Sequence, residues 1–404
     1  MAFFDEDLNF IGGTGSSDAA RERALRTHQA AMKLERQRGG RIEYGDNRHH
    51  RAYIRMKTDE ALYQAGMLRI DEMHRDCDPT EDFKLVRIAR DCISLDGSIP
   101  PPADQRAECL HRAATGSATF TDLLDDIANK SLILGYGQAN LRETWPALVN
   151  IRPTKDFRPF DVNRGAAIQT PPEVPEFGEL KAAKIADDGK EQSQVKSYVE
   201  RITFTRQAML NDDLDALMLN PARAGAAVSR LLGDLVIGAL TANAALGDGV
   251  ALFHADHGNL ATSGAAPAVT TLEGGYLAMS QQADALGQVL NIIPRFVLAS
   301  PTRAATIAVL RGAVNTYDDP ESNLRITALV DGRLAGLDPW YLLADPKLHS
   351  GLDLFVLAGT ENRPRLERMT NAPKGAPDGI HYKLGYDAAC VVADYRALYQ
   401  NPGA

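Results

Sequence analysis

The stretch from Asn211 to Leu260 limits the fold more than any other. Its first part, NDDLDALMLNPARAGAAVSRLLGDLVIGALTANAAL, reads as one long helix, and its end, GDGVALFHADHGNL, as turns. Asn220 suits an N-cap, and Pro221 suits the first turn, where a missing N–H costs nothing. Ala224, Ala227, Val228, Leu231, Leu235, Ala239, Ala242 and Leu246 recur in steps of three and four, which puts them on one helical face. Arg223, Arg230, Asp234 and Asn243 take the other sides, and Gly247, Asp248 and Gly249 stop the run. A helix over 221–246 would be about 39 Å long at ~1.5 Å per residue. Such a helix serves as a spine on which other pieces hang.

At 404 residues the chain exceeds most single cores and should divide into substructures. Its apolar fraction of 44% and charged fraction of 24% are those of a globular protein. No uninterrupted apolar run reaches the ~18 residues of a membrane span, so no membrane partner is expected. The opening MAFFDEDLNF is acidic where a signal peptide is basic. Cys77, Cys92, Cys109 and Cys390 form no CxxC pair, which predicts four free thiols in a reducing compartment. The net charge of −9 argues against a dedicated DNA-binding protein. Residues 21–57 nevertheless hold eleven basic residues against four acids, a net +7, and leave −16 on the rest. This basic arm fits nucleic acid or an acidic partner surface, or is a solvated helix.

In chain order, FIGGTGSSD lacks a convincing preceding strand and a complete phosphate-loop pattern, so a terminal turn is expected. A helix is predicted over 17–38, irregular or extended chain over 39–57, and helices over 58–74 and 81–94. Pro100, Pro101 and Pro102 break the chain before a helix through Cys109, Leu110 and Ala113. Thr121 then suits a cap ahead of a stripe of Leu123, Leu124, Ile127, Ala128 and Leu132. Residues 151–194 are polar, with prolines at 153, 159, 171, 172 and 175 and glycines at 165, 178 and 189. They cannot bury a core of their own. They return in an alternating strand with Tyr198, Ile202 and Phe204 on one face and Val199, Thr203 and Thr205 on the other. A projecting β-hairpin covered by a neighbouring subunit is predicted. Residues 271–360 read as a compact α/β unit: helix 271–286, strand 292–298, a helix over 301–311 capped by Ser300, and strands 334–343 and 352–357. Extended segments 365–370 and 388–393 follow.

His254 and His257 with Asp256 form the sharpest polar cluster. The glycines around them make a loop, and no third His or Cys lies nearby in sequence, so turn and capping roles are expected for Asp256, His257 and Asn259. His49 and His50 read as solvated. Asp125, Asp126, Asp212 and Asp213 suit helix starts. There is no GxSxG, HExxH or Walker pattern. No catalytic, cofactor-binding or metal residue is assigned, no cofactor is expected, and the chain is not read as an enzyme.

GVALFHADHGNLA (249–261) followed by LAMSQQADALGQVLNIIPRFVLASP (277–301) resembles the Mu-like head-subunit group of tailed-phage major capsid proteins, and the capsid half of prohead protease–capsid fusions. RITFTRQAMLNDDL (201–214), FTDLLDDIANKSLILGY (120–136) and LVRIARDC (85–92) resemble the same group, and the similarity spans roughly 83–400. Residues 1–82 are unmatched and no protease domain is attached, so a maturation protease would act in trans.

The resemblance implies an α+β, HK97-type capsid fold. Residues 83–150 would be the N-terminal arm region and 151–194 the E-loop. Residues 195–270 and 361–404 would form the P domain with spine helix 221–246, and 271–360 the A domain. It further implies a homo-oligomer of hexamers and pentamers, closed as an icosahedral shell around double-stranded DNA that it touches non-specifically. Portal, scaffold or protease would be partners, with assembly in the bacterial cytoplasm and residence in the virion capsid. Lys181, Lys184 and Lys190 lie in the loop, with no sign of crosslinking. An encapsulin-type compartment is the alternative of the same fold, and a soluble metal-dependent enzyme using the His254/His257 loop is a further one.

Overall fold

The computed structural model describes residues 3–4, 10–11, 47–69, 72–73, 77, 84–102, 104–171, 173–174, 182–187, 189–211, 214–314, 326–360, 362–369 and 377–403. Its strands in chain order are β1 (Phe3–Phe4), β2 (Phe10–Ile11), β3 (Asn150–Thr154), β4 (Phe160–Asn163), β5 (Ala166–Ile168), β6 (Ile185–Asp187) and β7 (Lys190–Ser193). There follow β8 (Lys196–Thr205), β9 (Pro294–Ala299), β10 (Thr327–Val330), β11 (Trp340–Ala344), β12 (Leu352–Leu357), β13 (Arg365–Arg368), β14 (Gly379–Val392) and β15 (Leu398–Asn401). The chain divides into two compact units, 1–135 with 200–225 and 365–384, and 136–199 with 226–364 and 385–404.

The first unit is mainly helical. Helices Asn47–Gln64, Leu85–Leu95 and Arg106–Gly116 precede Ala118–Asn140. Leu123, Leu124, Ile127, Ala128 and Leu132 are all buried, as their spacing predicts. The helix starts ahead of Thr121: Ser117 Oγ accepts the Phe120 N–H at 3.2 Å, while Thr121 Oγ1 bonds back to the Ser117 carbonyl. Asp125 therefore lies inside the helix and accepts the Tyr382 hydroxyl at 2.5 Å; Asp126 accepts from Thr58 at 2.9 Å. Burial raises the Asp125 carboxyl above its ordinary range, against the opposing Tyr382 bond and Arg368. Gly135 crosses the long helix so closely that a Cβ would sit 2.1 Å from the Ala222 carbonyl oxygen. Phe204 on β8 meets Tyr382 on β14 edge-on at 5.4 Å.

Several expectations are corrected here. Residues 47–57, expected to be irregular, are helical, and that helix ends at Gln64 rather than 74. Two-residue β2 directly precedes Gly12, pairing with β1. The helix expected over 17–38 lies outside the described residues, as do Asp212 and Asp213.

The long helix runs Leu214–Thr241, not 221–246, with Pro221 inside it. Its C-terminus comes early because Asn243 adopts φ 44° and binds both backbone groups of Phe253, accepting its N–H at 2.7 Å. Residues 244–252 then fold as a tight hairpin, with an isolated bridge between Ala245 and Ala251. The buried face is Met218, Ala222, Gly225, Ser229, Leu232, Val236 and Leu240, with Val228, as expected, and Ile237 buried beside it, while Leu231 and Leu235 are only half-buried. The true stripe is thus rotated from the expected one. By length and composition Met218–Thr241 could cross a membrane; 44% of its apolar window is buried within the protein.

In the second unit, β10 lies parallel to β9, which is antiparallel to β11, which is antiparallel to β15. Helices Val269–Ser280 and Ala304–Val314 contribute Leu272, Met279 and Ile307 to a core with Val297, Trp340, Leu342 and Tyr399. The helix expected to reach 286 ends at Ser280, and the strand expected from 334 begins at Trp340, after a short 3-10 turn Gly332–Leu334. Ser300 makes no side-chain cap; its hydroxyl pairs with Thr302 at 2.6 Å. β12 does not join this sheet: it pairs antiparallel with β14 and parallel with β3. Residues 150–154, expected mostly within the loop, are therefore a sheet strand.

Arg333 is the polar hub of this unit. Its guanidinium reaches Glu143 at 2.8 Å, Asp234 at 2.5 Å and the Arg230 carbonyl at 3.0 Å. Gly233 leaves room for it, since a Cβ there would sit 2.5 Å from Nη2.

Candidate assembly site at the base of the hairpin

Strands β4, β5, β6 and β7 form a two-tiered ribbon in the second unit. In the proximal tier β4 pairs with β7 from Phe160↔Ser193 to Asn163↔Lys190. In the distal tier β5 pairs with β6 from Ala166↔Asp187 to Ile168↔Ile185. The alternation of a ribbon puts Val162 inward, where it packs with Val195, Phe355 and Ala389. Phe160 meets Phe355 edge-on at 4.6 Å. The base of the hairpin is thus seated on β12 and the end of β14. Lys190 pairs with Asp161 across the strands at 2.7 Å, and both are exposed, so the pair contributes little.

A polar clamp adds to the apolar seat. The Arg164 side chain, only 6% exposed, pairs with Glu191 across the ribbon and approaches Asp248 at 3.6 Å. Glu191 also accepts the Gly247 N–H at 2.8 Å. Gly247 is required by close approach: a Cβ would lie 2.3 Å from the Lys190 carbonyl oxygen. The Arg164 guanidinium lies over the Tyr395 ring at 4.8 Å, a cation–π contact. His257, buried, stacks on that ring at 4.0 Å and 13°. Its Nδ1 lies 3.0 Å from the Leu252 carbonyl and its Nε2 3.1 Å from Asp248.

Burial works against the Asp248 charge, but the Val250 N–H, His257 and Arg164 together hold its carboxyl below the usual range. Asn259, buried, accepts from His254 N–H at 3.2 Å and donates to Leu252 at 2.8 Å. His254 caps the turn Ala255–His257 by accepting the Asp256 N–H, and Gly258 closes it at φ 64°. The capping roles expected for this loop accordingly fall on His254 and Asn259. His257 has a different one, joining the loop to the hairpin base. Arg164, Glu191 and Tyr395 carry the arrangement too, and no local pattern singles them out.

The other sequence candidates lie elsewhere. His50 contacts Thr119 at 2.9 Å, and the His49 side chain is outside the described residues. Lys184 is exposed, and Lys181 lies outside the described residues. The four cysteines are free, three of them buried. Among the described residues no three His, Cys, Asp or Glu side chains converge as a metal site.

No curated protein matches the chain. Among solved structures it is similar to a virus-like particle from Pyrococcus furiosus, with 12% identity, 68% of this chain and 97% of that one covered, and a TM-score of 0.41. It is similar to the holo-SrpI encapsulin complex from Synechococcus elongatus at 12% identity, 63% and 84% coverage and a TM-score of 0.39. The capsid of Ralstonia phage GP4 matches at 10% identity, 65% and 88% coverage and a TM-score of 0.42. A family model described as phage capsid protein matches residues 190–401, from the proximal strand β7 through the spine helix to β15. That is just over half of the chain, and it takes in most of the clamp: the chain belongs to the phage capsid protein family.

Proposed function

We infer that this chain builds the head of a tailed phage as its major capsid protein, copies of it closing into an icosahedral shell around double-stranded DNA. The observation that carries the reading is the family match over residues 190–401. The role is structural, not enzymatic, and its place is the virion capsid. The fold is α+β and HK97-type, with a long helix against sheets. Such a shell requires association between copies of the chain.

The finer assignments follow the same reading. The group is the Mu-like one, and hexamers and pentamers are the building blocks. Residues 155–194 act as the E-loop, 195–270 and 361–404 as the P domain, and 271–360 as the A domain, with β15 lending its strand to the sheet of β9 and β11. A portal, a scaffold or a maturation protease is its further partner. No residue is assigned to catalysis or to a metal.

The hairpin is the part that reaches a neighbouring copy. Its distal tier exposes the cross-strand pair Ile168 and Ile185, an apolar pair that a neighbouring copy could cover. Replacing 163–192 by a short Gly-Ser turn should leave soluble subunits with near-native circular dichroism that form no closed shells by negative-stain microscopy. Closed shells from that protein would overturn the assignment. Nucleic acid in purified wild-type particles supports a phage head; a protein cargo without DNA would instead make it an encapsulin-type compartment.

A further inference from the structure

The two tiers of the hairpin meet at one level. Arg164 N–H donates to the Gly189 carbonyl at 3.1 Å there, and the Gly189 N–H turns to Asp187 Oδ1 at 3.2 Å. Gly165 has φ 121° and Gly189 φ 91°. Space does not demand glycine: nothing lies within 4 Å of a Cβ at Gly165, and the Arg164 guanidinium is 3.4 Å from one at Gly189. The dihedral does, because side-chain-bearing residues rarely adopt these angles. Two such residues on opposite strands interrupt the ladder between Asn163↔Lys190 and Ala166↔Asp187.

The two sides of this interruption are held differently. The proximal tier has the Phe160–Phe355 contact and the Arg164–Glu191–Asp248 clamp. The distal tier meets Gln288. With its amide oriented to suit its neighbours, Gln288 accepts the Thr170 N–H at 2.8 Å and donates to the Ile168 carbonyl at 3.3 Å. Gln288 stands on a turn organised by Asp284, which accepts the Leu286 and Gln288 N–H groups at 2.9 Å. Beside this contact, Ile168 and Ile185 stay 58% and 70% exposed. A neutral side-chain contact thus holds a ribbon whose apolar pair is unburied.

We propose that Gly165 and Gly189 form a hinge across the hairpin, and that Gln288 parks the distal tier on its own subunit until a second copy of the chain covers Ile168 and Ile185. The inference rests on the reading of the hairpin as the contact between copies. Parking keeps the apolar pair at a fixed angle in the free subunit. Assembly exchanges the Gln288 contact for burial of the two isoleucines.

Hydrogen exchange of free subunits and light scattering during assembly test this. Gln288→Ala should raise exchange in 166–187 by roughly 5- to 100-fold, the weight of two neutral hydrogen bonds, and bring assembly on earlier. Gly165→Ala/Gly189→Ala should give folded subunits that assemble more slowly. Unchanged exchange in Gln288→Ala, slower assembly of that variant, or wild-type kinetics of the double alanine variant would overturn the proposal. Should the double variant not fold, Gln288→Ala decides alone. If the shortened hairpin still closes shells, the reading of the hairpin fails. If shortening blocks closure and Gln288→Ala behaves as wild type, only the hinge and its parking fail.

Discussion

Asp248 joins two parts of the chain some eighty residues apart, and its charge sets when they separate. Its folded-state carboxyl lies below the ordinary range, held there by the Val250 N–H, His257 and Arg164. A depressed carboxylate adds stability that is complete above its unfolded pKa and is lost as pH falls through the folded one. With Asp248 a third exposed, solvent screening limits the gain to about 0.5–1 kcal/mol. Thermal melts of wild type and Asp248→Asn should therefore differ by a constant amount from neutrality to about pH 5, and converge as pH falls through the depressed folded-state range of the carboxyl. A gap that widens on acidification would show that Asp248 is not stabilised as its carboxylate. Glu191 and His257 face the same cluster, so the comparison uses the difference between the two proteins rather than either melt alone. None of these residues announces itself in the sequence. Arg164, Glu191 and Asp248 are ordinary polar residues in turn-rich chain, and their meaning comes from contacts that only the folded topology creates.

The long helix shows which local signals survive folding. The stripe of Leu123, Leu124, Ile127, Ala128 and Leu132 is legible because large apolar residues do the packing. In Leu214–Thr241 the buried face includes Ala222, Gly225 and Ser229, small residues chosen for close approach, as where Gly135 meets the Ala222 backbone. Gly225 and Ser229 carry no apolar side chain to count, so the spacing of apolar residues points to Leu231 and Leu235 instead. The helix stops short of 246 because Asn243 spends its side chain on Phe253, a bond to chain beyond the helix. The two faces separate by substitution. Leu232 is fully buried, so Leu232→Asp should cost several kcal/mol, roughly 3 or more, by leaving an unpaired charge in the core. Leu235→Asp at a half-buried position should cost distinctly less. Chemical denaturation of both variants measures this; equal losses would put Leu235 back in the core.

Across the whole molecule, charge is distributed more unevenly than the −9 total suggests, and the structure moves the boundary of the basic arm. Of the +7 on residues 21–57, Arg48, Arg51, Arg55 and Lys57 supply +4 without an acid, and they stand on the helix Asn47–Gln64. That helix is built into the first unit: Thr58 is fully buried and bonded to Asp126, and Lys57 pairs with Glu60 at 2.6 Å in a buried position. Arg51 and Arg55 are exposed on it. A cut after residue 57 would therefore remove part of the fold together with the charge, whereas a cut after residue 46 removes chain ahead of the helix. Deleting 1–46 should leave a folded subunit whose melting temperature is close to wild type. Deleting 1–57 should lower it clearly, because it removes the Ile54 carbonyl that accepts from Thr58 and the buried Lys57 that pairs with Glu60. If the exposed arginines contact acidic neighbours or the genome, Arg51→Glu/Arg55→Glu in the full chain should fold normally yet assemble or package poorly. The defect should change with salt, since screening acts over about 10 Å at 0.1 M. Particle yield, nucleic-acid content and their salt dependence decide the matter: wild-type values in the double variant would leave these arginines as a solvated helix face.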